Sequence, residues 1–188
     1  MIDSKTGFDL GIRWQFPDAK RYAFVFFALF IALLVIYGNS FNNAFQFDDT
    51  PNILKNPNVQ PESLSWDELK KSFYGINQGH GKIKRPLSYL TLAVNYYFSG
   101  ENVFSYHAVN FAIHLITSVF FFLLVYNILQ LPLLKPRYAK RAYAIALLAV
   151  FFWATHPIQL TAVTYIVQRM AALAGMFYVM AMYFYLKA

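Results

Sequence analysis

Residues 142–186 form a run of 45 in which Arg169 is the only Lys, Arg, Asp or Glu. As a single helix this run would be about 68 Å long at about 1.5 Å per residue, more than twice the bilayer core of about 30 Å. It must therefore fold back on itself. Pro157 marks the expected break, because proline disfavours the helical conformation in the residue before it, here His156. A soluble core cannot absorb such a run. The chain has 188 residues, 58% of them hydrophobic and 13% charged, against roughly 45–50% apolar and about 25% charged for a typical soluble domain.

Two further apolar runs precede it. Residues 22–38 carry no charge and follow Lys20 and Arg21. Their 17 residues reach the short end of the spanning range. No small-x-small cleavage site stands before the polar segment 39–43, so an uncleaved anchor is expected. Residues 106–129 contain neither an acidic residue nor a Lys or Arg. With the 142–186 run folded back, an all-α integral membrane protein with about four transmembrane helices results. The expected spans are 22–38, 106–129, 142–155 and 170–186. Residues 155–168 continue either helix or lie along the interface.

Basic flanks orient the spans. The net charge is +7, and Lys135, Arg137, Lys140 and Arg141 concentrate four positive charges between the second and third spans. Residues 1–21 and 130–141 are expected in the cytoplasm. Loop 39–105 and the turn 156–169 then face the other side. A nucleic-acid partner is excluded, because the surplus charge lies in short flanks rather than on one folded basic face. The chain has no cysteine, so disulfides and thiolate sites are ruled out.

The long outer loop has its own structure. Ser65 and Glu68 are spaced as a capping box, with Leu64 and Leu69 at the staple positions, so a short helix is predicted over 66–74, ending near Gly75. Residues 86–98 are apolar but too short to span, and read as an interfacial or re-entrant helix. Pro51, Pro57 and Pro61 mark irregular loop between the first span and the short helix.

Asp48-Asp49 lies ten residues beyond the first span, close to the membrane surface. The pair suits either a carboxylate base with a divalent-cation contact or an Asp turn fixed by Pro51. From the dipeptide alone, the turn reading carries more weight. His107, Asn110 and His114 share one helical face, lining a polar cavity or packing against other spans. The two histidines are about 10.5 Å apart along the axis, which excludes a shared metal ion. Arg169 is either a paired functional charge or an interfacial snorkelling one. Arg85 and Arg169 are both suited to phosphate. His80 reads as a loop residue. A small transporter lacks support, since no span carries an acidic residue to couple ions.

Four ordered segments together carry a resemblance. They are Phe47-Asp48-Asp49 with Asn56-Pro57, Arg85-Pro86-Leu87-Ser88-Tyr89-Leu90, Tyr106-His107 with Asn110 and His114, and His156-Pro157 with Ala162-Val163 and Gln168-Arg169. In order and spacing they resemble the amino-terminal part of the transmembrane-and-tetratricopeptide-repeat O-mannosyltransferases and their bacterial relatives, which are GT-C glycosyltransferases. The resemblance implies a partial GT-C-like architecture. It also implies transfer of a sugar from a polyprenyl-phosphate carrier to a protein or glycan hydroxyl on the non-cytoplasmic side. It assigns Asp48 as base and Asp49 as acceptor or metal contact, with a divalent cation as the cofactor to test. Arg85 and Arg169 would stabilise the departing phosphate, while His107 and His156 line the site. A bacterial inner membrane is expected ahead of the endoplasmic reticulum. Members of that family have more spans and a helical-repeat domain. The chain is therefore expected to be either a fragment of a longer enzyme or a small relative, with a non-catalytic scaffold or lipid-linked-sugar-binding relative in a larger membrane assembly as the alternative function.

Overall fold

The computed structural model describes residues 19–76 and 82–188; His80 lies outside them. The described residues contain helices and turns but no strand. Helix α1 (Ala19–Tyr37) runs on into a 3-10 turn, Gly38–Asn42. In the outer loop lie α2 (Trp66–Lys71) and α3 (Pro86–Ser99). Helix α4 (Val103–Ile128) is followed by the short α5 (Lys135–Tyr138), α6 (Ala142–Ala154), α7 (Leu160–Thr164) and α8 (Arg169–Lys187).

Among the described residues, three stretches are long and apolar enough to cross a membrane: Ala19–Asn42, Val103–Ile128 and Ile166–Lys187. A fourth candidate among them is a pair of helices, Lys135–Ala154 and Pro157–Thr164, bent by 54° at the break between them, as a broken span or a re-entrant loop is. Helix α6 alone would reach only about 20 Å, short of a core of about 30 Å. The 45-residue run therefore folds back, through two breaks rather than one. The first is at His156-Pro157, where His156 adopts an extended backbone and its Nδ1 accepts from the Ile158 amide at 3.2 Å. The second is at Tyr165, also extended (φ −101°, ψ 111°), between α7 and α8.

Helix α4 is the spine. Val25, Leu29, Leu33 and Tyr37 recur every fourth residue on α1, and Ala142, Ala146, Val150 and Ala154 do the same on α6. Both stripes pack with Phe111, Leu115 and Phe122 of α4. The alanines let the α6 backbone come close, the usual means of helix association where lipid removes the hydrophobic drive. The opposite face of α1 exposes Phe24, Phe27, Ile31 and Val35, as a lipid-facing surface requires.

A second apolar cluster joins the outer loop to the helix ends. Ile53 and Val59 of the loop, Tyr89 and Leu92 of α3, and Tyr106 of α4 meet Ile166, Val167 and Met170. Helix α2 begins as its spacing predicts, with Ser65 accepting from the Glu68 amide. The return bond is replaced: the Ser65 amide donates to Ser63, and Glu68 pairs with Lys71. A 3-10 turn, Ser72–Tyr74, finishes the helix at Gly75, whose φ is 60°. A Cβ there would lie 2.7 Å from Tyr89 Cε2. Gly75→Ala is expected to cost about 1–3 kcal/mol from backbone strain and the clash, read as a lowered thermal midpoint in detergent.

Candidate active site

The loop after α1 separates the acidic pair. Asp49 is buried, and both its carboxylate oxygens are occupied. Oδ2 accepts from the Gln46 amide at 2.9 Å and Oδ1 from the Val167 amide at 2.8 Å. The second bond links positions 118 residues apart. It forms because the break at Tyr165 leaves the Val167 N–H without a helical acceptor. Burial pushes the Asp49 carboxyl above its ordinary value, against the opposing pull of the two amides and of nearby His107.

Asp48 is exposed and turned outward. Its amide donates to the Tyr165 hydroxyl at 3.0 Å. Its carboxylate has no partner among the described residues and borders a cavity of about 350 Å³. Arg85, Asn52 and Gln168 supply the other polar walls, and Met170, Ala171 and Ala174 the apolar one. Asn52, which the sequence did not single out, fixes this arrangement. Its Nδ2 donates to the Asp48 carbonyl at 2.7 Å while its Oδ1 accepts from the Tyr89 hydroxyl. The only cue was its position four residues after Asp48, within the π-helical turn Thr50–Leu54.

Two non-glycine residues beside the cavity have left-handed backbones, Phe47 at φ 40° and Arg85 at φ 47°. Such conformations are sparsely populated and concentrate at functional sites. Pro86 bars Arg85 from the right-handed helical region and opens α3 behind it. The Arg85 side chain is exposed and reaches α8, where Nη1 donates to Met170 Sδ at 3.2 Å.

The remaining expected site residues lie in the interior or elsewhere. Arg169 is fully buried and is neither snorkelling nor open to the cavity. Its Nε donates to Asn110 Oδ1 at 2.8 Å, Nη1 to the Thr91 carbonyl at 3.2 Å, and Nη2 to Asn95 Oδ1 at 2.8 Å and the Tyr106 carbonyl at 3.0 Å. The guanidinium also lies 5.7 Å from the Tyr106 ring centroid. With four of its five N–H groups so engaged, Arg169 is a tether rather than a phosphate ligand in this arrangement. The polar stripe of α4 tethers too. His107 Nε2 meets the Asn43 carbonyl at 3.0 Å, Asn110 Nδ2 donates to the carbonyls of Tyr165 and Ile166, and His114 Nε2 meets the Ala154 carbonyl at 2.9 Å. A carbonyl can only accept, so Nε2 carries the proton in both histidines. His156 serves as a turn cap and is not among the residues lining the Asp48 cavity.

This donor set does not form an all-protein cage for a divalent cation. Asp48 is the only carboxylate lining the cavity among the described residues, and the Asp49 oxygens are held by amides. No group of three potential metal-ligating side chains occurs among the described residues. Calcium or magnesium needs about six oxygen ligands.

No family model and no solved structure match the chain. Curated relatives do. Protein O-mannosyl-transferase TMTC4 of Homo sapiens is 32% identical over 163 residues, covering 82% of this chain and 22% of the relative. The human TMTC1 enzyme is 32% identical over 155 residues, with 80% and 16% covered. TMTC3 of Mus musculus is 31% identical over 155 residues, with 81% and 16% covered. The chain thus spans between 16% and 22% of the length of these relatives.

Two outcomes follow from the split carboxylates. Asp49→Asn turns an amide N–H toward a backbone donor and is expected to cost about 1–3 kcal/mol. Asp48→Asn should stay within about 0.5 kcal/mol of wild type, as surface changes do. Arg169→Leu strands the buried Asn95 and Asn110 side-chain oxygens and is expected to lose about 2–3 kcal/mol or more. Chemical unfolding in mixed micelles measures all three.

Proposed function

We infer that this chain, a relative of the TMTC protein O-mannosyl-transferases, is part of a membrane glycosyltransferase that moves a sugar from a polyprenyl-phosphate carrier to a protein or glycan hydroxyl. The observation that carries this reading is a shared cavity. An outward carboxylate, Asp48, and an exposed guanidinium, Arg85, border it together, at the end of a helix long and apolar enough to span a membrane.

The two charges suit the two halves of the reaction. The acceptor oxygen attacks the anomeric carbon while the bond from that carbon to the carrier's phosphate oxygen breaks. Asp48 takes the acceptor's proton as general base. Negative charge builds on the departing phosphate, and Arg85 is placed to stabilise it with paired N–H donors. Asp49 does not react. It is a positioning residue, locking the loop that presents Asp48 onto the Val167 amide. The basic flanks favour the non-cytoplasmic side for this cavity.

The test is sugar transfer in membranes containing the full-length protein, at matched abundance. Asp48→Asn should lower kcat by about 10²–10⁴-fold, the usual contribution of a general base. Arg85→Gln should lower it by about 10²-fold, as loss of one charge-stabilising donor does. Unchanged turnover in Asp48→Asn would refute the assignment.

A further inference from the structure

A second cavity, about 470 Å³, runs between α3 and α4. Leu90, Val94 and Phe98 wall it on one side, Ser105 and Val109 on the other. Thr91 and Asn95 also border it, but their polar atoms are engaged elsewhere. The Thr91 hydroxyl donates to the Ser88 carbonyl, and the Asn95 amide bonds Arg169 and Ser105. The Ser105 hydroxyl in turn donates to the Asn102 carbonyl. An apolar chain entering this groove would therefore strand none of these three side chains; Ser99 also borders the groove.

Leu87, Leu90, Val94 and Phe98 follow at offsets of 3, 4 and 4, which puts them on one face of α3. Leu87 and Phe98 at its two ends are exposed. Just before the helix, Lys82 and Lys84 are exposed, with exposed Ile83 between them. Neither lysine has an ion pair among the described residues; Lys70 and Lys71 of α2 do. Val109 is six residues into α4, about 9 Å along its axis, so the groove lies near one end of a candidate span. It shares no lining residue with the Asp48 cavity, and Arg169, bonded to Thr91 and Asn95, packs behind it.

We propose that this groove binds an anionic membrane phospholipid, with one acyl chain against Leu90, Val94 and Phe98 and the headgroup phosphate on Lys82 and Lys84. A basic pair that immediately precedes the apolar stripe in the chain, with the groove near one end of a candidate span, matches the two halves of such a lipid.

The experiment is native mass spectrometry of the full chain released from nanodiscs of equal phosphatidylglycerol and phosphatidylcholine. Wild type should retain phosphatidylglycerol over phosphatidylcholine by at least about fivefold, the scale of one lysine at a charged membrane surface. Lys82→Gln with Lys84→Gln should bring the two lipids to parity while keeping the retained total. Val94→Trp, which fills the groove, should remove both. Equal retention by wild type, or undiminished retention in Val94→Trp, overturns the proposal. So does displacement of phosphatidylglycerol by equimolar polyprenyl phosphate, which would make the groove a carrier site. If Val94→Trp does not fold, Phe98→Trp provides a second reading. Its added emission should be quenched more by doxyl-labelled phosphatidylglycerol than by the labelled choline lipid, and equal quenching overturns the assignment. None of these readouts requires sugar transfer, so they stand or fall apart from the catalytic assignment.

Discussion

A buried guanidinium organises this structure. Arg169 begins α8, and its donors reach the Thr91 carbonyl and Asn95 on α3 and the Tyr106 carbonyl and Asn110 on α4. A cation out of water is tolerated only where hydrogen bonds replace its hydration. Here those bonds go to neutral acceptors, and the nearby Asp49 carboxylate supplies attraction without direct contact. Because the guanidinium is planar and rigid, its acceptors are held in fixed directions. Three helices are thereby locked at one end of the bundle, beside the Asp48 cavity.

The same end contains the break between α7 and α8. Non-helical backbone at membrane depth is stable only where protein satisfies its polar groups. The structure meets that demand with side chains. Asn110 takes the carbonyls of Tyr165 and Ile166, and Asp49 takes the Val167 amide. The residues that secure the break are therefore the ones that aim the loop carrying Asp48. Asp49 and Asp48 differ in role because one satisfies that backbone and the other does not. The left-handed backbones of Phe47 and Arg85 persist beside this rigid frame. Strain of that kind survives only where the surroundings over-determine it.

Much of this was legible in the chain itself. The apolar runs, the break at His156-Pro157 and the short helix begun by Ser65 each rest on a local rule: span length, the restriction before proline, and the spacing of a cap. Those rules act over a few residues, so sequence alone is enough to apply them. The cavity was only half legible. Asp48 and Arg85 stood out as charges in an apolar chain, whereas Asn52 did not, since an asparagine in a loop rich in Asn and Pro carries no distinguishing pattern.

Length, hydropathy and charge placement determined that this chain is a bundle of apolar helices with an acidic pair just beyond the first. Tertiary structure alone decided which carboxylate faces outward and where Arg169 points. Asp49 is buried because Val167, 118 residues away, presents a free amide. Arg169 is interior because Asn95 and Asn110, on two other helices, converge on it. Those partners are distant in the chain and become neighbours only after the helices pack, so no local pattern encodes them.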